Sequence, residues 1–194
     1  MPIESEIIVV SGPRRSGKSL MMQMLHRGGC PIVSDNLREP DTDNPVGYYE
    51  YQNVTRLRQD TSWLPQARGK AVKIVSQLLY DLPATEQYRV IFMERDADEV
   101  LDSQEKRLRR LNHPAAPRET MRNACEVHLQ RLFEWLEQRS EFTVLRVSYN
   151  QLVQTAETEI ARIGEFLDGS VDSAGMSGVI HPALYRNRSS GQPG

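Results

Sequence analysis

Ile7-Ile8-Val9-Val10-Ser11-Gly12-Pro13-Arg14-Arg15-Ser16-Gly17-Lys18-Ser19-Leu20-Met21-Met22 is the stretch on which the fold turns. Its first five residues are apolar or small and β-branched without alternation, as in a strand buried on both faces. Gly12 to Ser19 then fits G-x-x-x-x-G-K-[ST], and Ser19 to Leu25 continues in helical character. Strand, glycine-rich loop and helix in that order are the setting in which this motif cradles phosphate. Glycines let successive N–H groups curl inward, and the helix start adds unpaired donors and the positive end of its dipole. Lys18 brings charge on a flexible stem, and Ser19 a hydroxyl for phosphate or magnesium. Gly12, Arg14, Arg15, Ser16, Gly17, Lys18 and Ser19 are therefore the expected binding loop of a nucleotide.

Outward from this loop the chain alternates strands and helices. Gly28-Gly29 closes the first helix. Strands are expected at Pro31 to Ser34, Lys70 to Val75, Tyr88 to Met93 and Phe142 to Val147. Long helices are expected at Asp96 to Leu111 and Pro117 to Arg139, with a last helix at Ile160 to Leu167. Tyr48 to Ala67 reads as one or two short helices, broken near Asp60 and Pro65. Leu37 to Gly47, rich in Pro, Asp and Asn, reads as a long loop of the kind that often carries function. In the second long helix Met121, Cys125, His128, Leu132 and Leu136 recur at helical spacing, a core stripe in which His128 is expected to be a satisfied core residue. The pattern predicts an α/β fold, a P-loop NTPase-like α/β/α sandwich with a mostly parallel sheet. Residues 1–188 form one domain in this reading, and 189–194 a flexible polar tail.

The bulk numbers narrow the function. The 194 residues carry 24 Lys and Arg against 26 Asp and Glu, a formal charge of -2, which argues against a general nucleic-acid partner. Two cysteines, Cys30 and Cys125, are too few for a disulfide framework. No stretch approaches the roughly 20 apolar residues of a membrane span. The acidic start running straight into Ile7 is unlike a signal peptide. A cytoplasmic location is expected.

Two segments go further. Arg14-Arg15-Ser16-Gly17-Lys18-Ser19, together with Arg95 at a strand end and Ser103 eight residues later, resembles the P-loop sulfotransferase family, and in particular its small bacterial members. The likeness continues through Gly47-Tyr48-Tyr49-Glu50, Gly69 to Lys73, Leu145 to Tyr149 and Leu184 to Arg188. It implies transfer of a sulfuryl group from 3′-phosphoadenosine 5′-phosphosulfate to a hydroxyl or amine acceptor, without metal. It also implies that Arg95 and Ser103 grip the donor's 3′-phosphate, and that Arg186 and Arg188 fold over it. Arg14 stands where the family has proline and Lys18 where it has threonine. Val75 stands where the family's K-x-H segment has its histidine. Lys73 then either assists the leaving group or faces solvent, and Glu50, with Glu39 as its rival, is the nearest candidate base. The basic run Lys106 to Arg110 reads as a solvated helix end. Two other readings stay open. One is a kinase or NTPase using Mg-ATP or Mg-GTP, with Asp35 or Glu94 as the acidic metal partner. The other is a nucleotide-binding module without catalysis.

Overall fold

In a computed structural model, residues 2–35, 47, 49–114 and 116–180 are described. Five strands, β1 (Ile7–Ser11), β2 (Ile32–Val33), β3 (Ala71–Lys73), β4 (Tyr88–Glu94) and β5 (Phe142–Ser148), form one sheet in the order β2-β3-β1-β4-β5. All four pairings are parallel, with Val9 opposite both Val72 and Val90, and Glu94 opposite Ser148. The helices are α1 (Lys18–Arg27), α2 (Ala97–Arg110), α3 (Arg118–Glu137), α4 (Tyr149–Gln154), α5 (Ala156–Phe166) and α6 (Ser173–Ser177). This is the expected α/β architecture, helices on both faces of a parallel sheet.

The uniform apolarity of β1 follows from its central place. Ile8 and Val10 pack into one core with Met21, Met24 and Leu25 of α1, Leu152 of α4, Ile160 and Ile163 of α5, and Met176 of α6. Ile7 and Val9 pack into the opposite core with Trp63, Leu64, Leu79, Leu132 and Leu136. Successive side chains of a strand point to opposite faces, so a strand covered twice has no polar side. The chain moves to one flank of β1 for β2 and β3 and to the other for β4 and β5. The carboxyl end of β1 is thus the point where the order reverses, the place where such sheets bind ligands.

Several expected boundaries move. β3 stops at Lys73, and Ser76–Asp81 winds into a short 3-10 helix. The Tyr48 to Ala67 region forms two 3-10 turns, Gln52–Arg56 and Leu64–Ala67, with Pro65 inside the second. The α3 stripe is corrected: Leu132 and Leu136 are buried, but Met121, Cys125 and His128 are only half-buried. The sheet reaches under the last two turns of α3 and not under the first three. Helices α4 and α6 were not expected. Among the described residues no helix is long and apolar enough to cross a membrane. Glu39, most of the Leu37 to Gly47 loop, Arg186, Arg188 and the 189–194 tail lie outside the described residues.

Candidate functional site

At the end of β1 the backbone takes three left-handed steps in six residues: Gly12 at φ 136°, Arg15 at φ 68° and Gly17 at φ 97°. A Cβ on Gly12 would overlap Met93 O, and one on Gly17 would overlap the Tyr149 ring, so these two positions admit glycine alone. Gly17 precedes α1, and no side chain caps the helix. The first N–H groups of a helix have no partner within it. Ser16 Oγ is wholly buried in the same loop with no hydrogen-bond partner among the described residues. An unmet buried hydroxyl is costly unless something completes it, and an anion over the helix start would.

Lys18 folds back over the loop. Its Nζ donates to Gly12 O at 2.9 Å and also to Pro13 O. Burial foremost, then the charges of Lys73, Arg14 and Arg15, hold its ammonium down to about pKa 7. Lys73 closes the other side. Its Nζ lies 3.5 Å from Ser19 Oγ and 3.6 Å from Glu50 Oε1, and its side chain is 9% exposed, so it does not face solvent. Lys18, Ser19, Lys73 and Glu50 thus come from three separate segments to one spot.

A second basic corner lies beside it. Ser103 Oγ accepts from Arg15 Nε at 2.8 Å, and Arg95 Nη1 approaches Arg15 O at 3.5 Å. The Arg95 guanidinium stacks 4.3 Å from the Tyr149 ring centroid and donates to Glu99 Oε2 at 2.9 Å. Glu99, 1% exposed, also accepts from Asn150 Nδ2 at 3.1 Å. Arg95 is not held by Asp96 or Asp98: Asp96 caps α2, and Asp98 binds Arg118 and Arg122. Arg15, Arg95 and Ser103 therefore meet, but Arg15 rather than Arg95 touches the serine. Arg14 is exposed at the rim. Tyr149, Glu99 and Asn150 escaped the sequence reading. Only the i,i+4 spacing of Arg95 and Glu99 signalled any of them.

The two acidic candidates for a metal are already engaged. Glu94 Oε1 pairs with Arg146 Nη2 at 2.6 Å, and Asp35 Oδ2 accepts from Gln52 N at 2.6 Å. Among the described residues no three His, Cys, Asp or Glu side chains cluster as metal ligands.

The fold has solved counterparts. Sulfotransferase STF9 from Mycobacterium avium matches over 97% of this chain and 70% of its own, with TM-score 0.57 and 14% identity. The sulfotransferase domain of the Synechococcus PCC 7002 olefin synthase matches over 97% of this chain and 85% of its own, with TM-score 0.56 and 15% identity. At such identities the likeness is one of fold. No family profile matches the chain, and no curated protein matches it in sequence.

Proposed function

We propose that the protein is a sulfotransferase that takes its sulfuryl group from 3′-phosphoadenosine 5′-phosphosulfate. The observation that carries the reading is the second basic corner. Lys18 and the start of α1 are suited to a 5′-phosphate and what it bears, as in any protein with this loop. Arg15, Arg95 and Ser103 add a separate anion site at the end of β4, which a nucleoside di- or triphosphate would leave unused. An arginine fork meets two phosphate oxygens at once, and Glu99 and Tyr149 hold the Arg95 fork in place.

In this reading the donor, when bound, supplies the sulfuryl group. Lys18 releases the Gly12 and Pro13 carbonyls and turns to the phosphate oxygen on which negative charge grows. Lys73, kept at the loop by Glu50 and Ser19, stabilises the same charge. The protein's work is positioning and electrostatics. The ion pair with Lys73 makes Glu50 a positioning residue for that ammonium. Transfer to a hydroxyl or amine follows from the resemblance of the sequence, and the partners are then a nucleotide and an acceptor molecule.

A magnesium-dependent kinase or NTPase fits these residues less well. The metal would sit against Ser19 Oγ, where the Lys73 ammonium stands at 3.5 Å, and both acidic candidates are committed elsewhere.

Calorimetry tests the proposal. Adenosine 3′,5′-bisphosphate is expected to bind more tightly than ADP or AMP. Arg95→Ala should cost about 1.5–3 kcal/mol on the bisphosphate and little on AMP. Because Arg95→Ala also strips a partner from buried Glu99, Ser103→Ala serves as the milder variant, with the same selectivity expected and a smaller loss. Equal losses on both ligands would make the corner structural. Absence of any bisphosphate preference in the unaltered protein would remove the sulfotransferase reading and leave the phosphate loop.

A further inference from the structure

Lys18 and Ser16 meet around Gly12. Lys18 Nζ donates to Gly12 O at 2.9 Å and to Pro13 O. A Cβ on Gly12 would stand 2.7 Å from Ser16 Oγ, so the Ser16 hydroxyl is turned to the inside of the loop at the same residue. Ser16 is 0% exposed, and that hydroxyl has no partner among the described residues. The start of α1, with no side-chain cap, adds N–H groups that the helix itself does not use.

An ammonium carries three N–H bonds, a neutral amine two and a lone pair. The Gly12 and Pro13 carbonyls take two N–H bonds, which leaves the lone pair of the neutral form pointing away from them. Burial, then the charges of Lys73 from β3 and of Arg14 and Arg15 from the loop, hold the ammonium down to about pKa 7. The neutral form is therefore abundant at and above neutrality. Glu50 offers no counterweight, because its carboxylate meets Lys73 Nζ at 3.6 Å.

We propose that the Lys18 amine combines reversibly with carbon dioxide, and that the carbamate so formed closes the loop to nucleotide. The lone pair attacks the carbon of carbon dioxide. A C–N bond forms, one C=O electron pair moves onto oxygen, and a proton leaves the nitrogen for solvent. Nothing is oxidised or reduced. The remaining N–H keeps a loop carbonyl, while the new carboxylate accepts from the Ser16 hydroxyl and the α1 N–H groups beside Lys73 and Arg15. Cations that disfavour the ammonium favour the anion that replaces it, so one set of charges promotes both halves of the change. Lys18 is 7% exposed, and at the mouth of the loop Ser19 is half-buried and Arg14 exposed. Such an opening suits a neutral molecule of three atoms. The inference needs the phosphate loop alone, and holds whichever nucleotide that loop takes.

The test equilibrates the unaltered protein with labelled carbon dioxide and bicarbonate at about pH 8, where the neutral amine predominates. A trialkyloxonium salt then fixes any carbamate as its stable ester. Peptide mass spectrometry should find the label on Lys18. Lys70 and Lys106, exposed on the surface outside the loop, should carry about a tenth as much or less. At about pH 6 the Lys18 label should fall, because the ammonium returns. Adenosine 3′,5′-bisphosphate or inorganic pyrophosphate should displace it. The linkage is reciprocal, so carbon dioxide should weaken bisphosphate or pyrophosphate binding about threefold or more near pH 8, against chloride of equal ionic strength. Lys18→Met should remove that effect. Weaker binding without a trapped Lys18 carbamate would mean bicarbonate competing as an ion only, and would overturn the proposal. Label spread evenly over the lysines would overturn it too, as would a Lys18 carbamate that leaves both affinities unchanged. A protein that binds pyrophosphate but shows no preference for the bisphosphate loses the sulfotransferase reading, a result distinct from all of these.

Discussion

Lys18 is unusual among lysines in being buried, flanked by three cations and bonded to two backbone carbonyls. Burial and those cations disfavour its charged form, so its pKa drops from 10.5 to about 7. A phosphate over the loop reverses the balance, because a paired charge is favoured where a lone one is not. The bound-state pKa therefore rises toward the ordinary value, and the sign of the linkage follows. Below about pH 7 Lys18 is charged both free and bound, and binding moves no proton onto it. Above that, the free protein has lost a proton that the complex keeps, so binding takes one up. Near pH 8 bisphosphate binding should take up close to one proton, and affinity should fall roughly tenfold per unit as pH climbs through this window. Calorimetry in buffers of different ionisation enthalpy measures the uptake directly. Lys18→Met should abolish it, and an uptake that persists in that variant would belong to another group.

At the scale of elements, the site depends on α1 and α4 starting against each other. Gly17 touches the Tyr149 ring on one side, and Arg95 stacks on that ring. Gly17→Ala adds a methyl that must displace Tyr149 and forces φ 97° on a residue with a Cβ. About 1–3 kcal/mol of stability should be lost in urea unfolding. Bisphosphate affinity should fall more than AMP affinity, since the Arg95 platform moves. An equal fall would mean that the loop alone had been disturbed. How much of this was legible varies from element to element. Each of the five strands lies on a run read from the sequence, β4 and β5 going one residue beyond theirs to Glu94 and Ser148, and β1 and β4 were the plainest because a doubly covered parallel strand needs a continuous apolar run. The Lys18 loop was equally plain, its glycines being demanded by backbone geometry. The Arg95 and Ser103 corner was legible as a spacing, but the spacing could not say that Arg15 would take the serine. That contact joins positions 15 and 103 through φ 68° at Arg15, which no local pattern announces. Met121, Cys125 and His128 looked like core because helical periodicity reports which face is apolar, not whether a sheet extends beneath it. Helix α4 was missed because Ser148 to Gln154 is too short and too polar for periodicity to show, though Ser148 does cap it.

Across the whole molecule, charge is sorted by sheet edge. At the amino edge arginines are matched: Arg89 bonds Glu6 at 2.5 Å and Asp168 at 2.9 Å, and Arg68 meets Glu86 through two bonds of 2.7 and 2.8 Å. At the carboxyl edge Arg14, Arg15, Lys18, Lys73 and Arg95 converge; among the described residues Glu50 and Glu99 pair with Lys73 and Arg95, while Glu94, Asp96 and Asp35 on the same edge are engaged by Arg146, the start of α2 and Gln52 N. A chain with formal charge -2 thus turns a basic end to the ligand crevice. Such an end can neutralise a polyanion with side chains and helix N–H groups, and a divalent cation entering beside Ser19 would be repelled by Lys73. Bisphosphate affinity is accordingly expected to stay within about twofold when a chelator replaces magnesium, since ligands of one charge sign need only one neutralising set. Lys73→Ala should weaken the bisphosphate and, by vacating the place beside Ser19, allow magnesium to strengthen ATP binding where it did nothing before. Calorimetry of both nucleotides, each with magnesium and with chelator, reads all of these effects. Tight ATP binding in the unaltered protein that needs magnesium and releases phosphate would mean that Lys73 swings away from Ser19, and would decide for the kinase or NTPase chemistry instead.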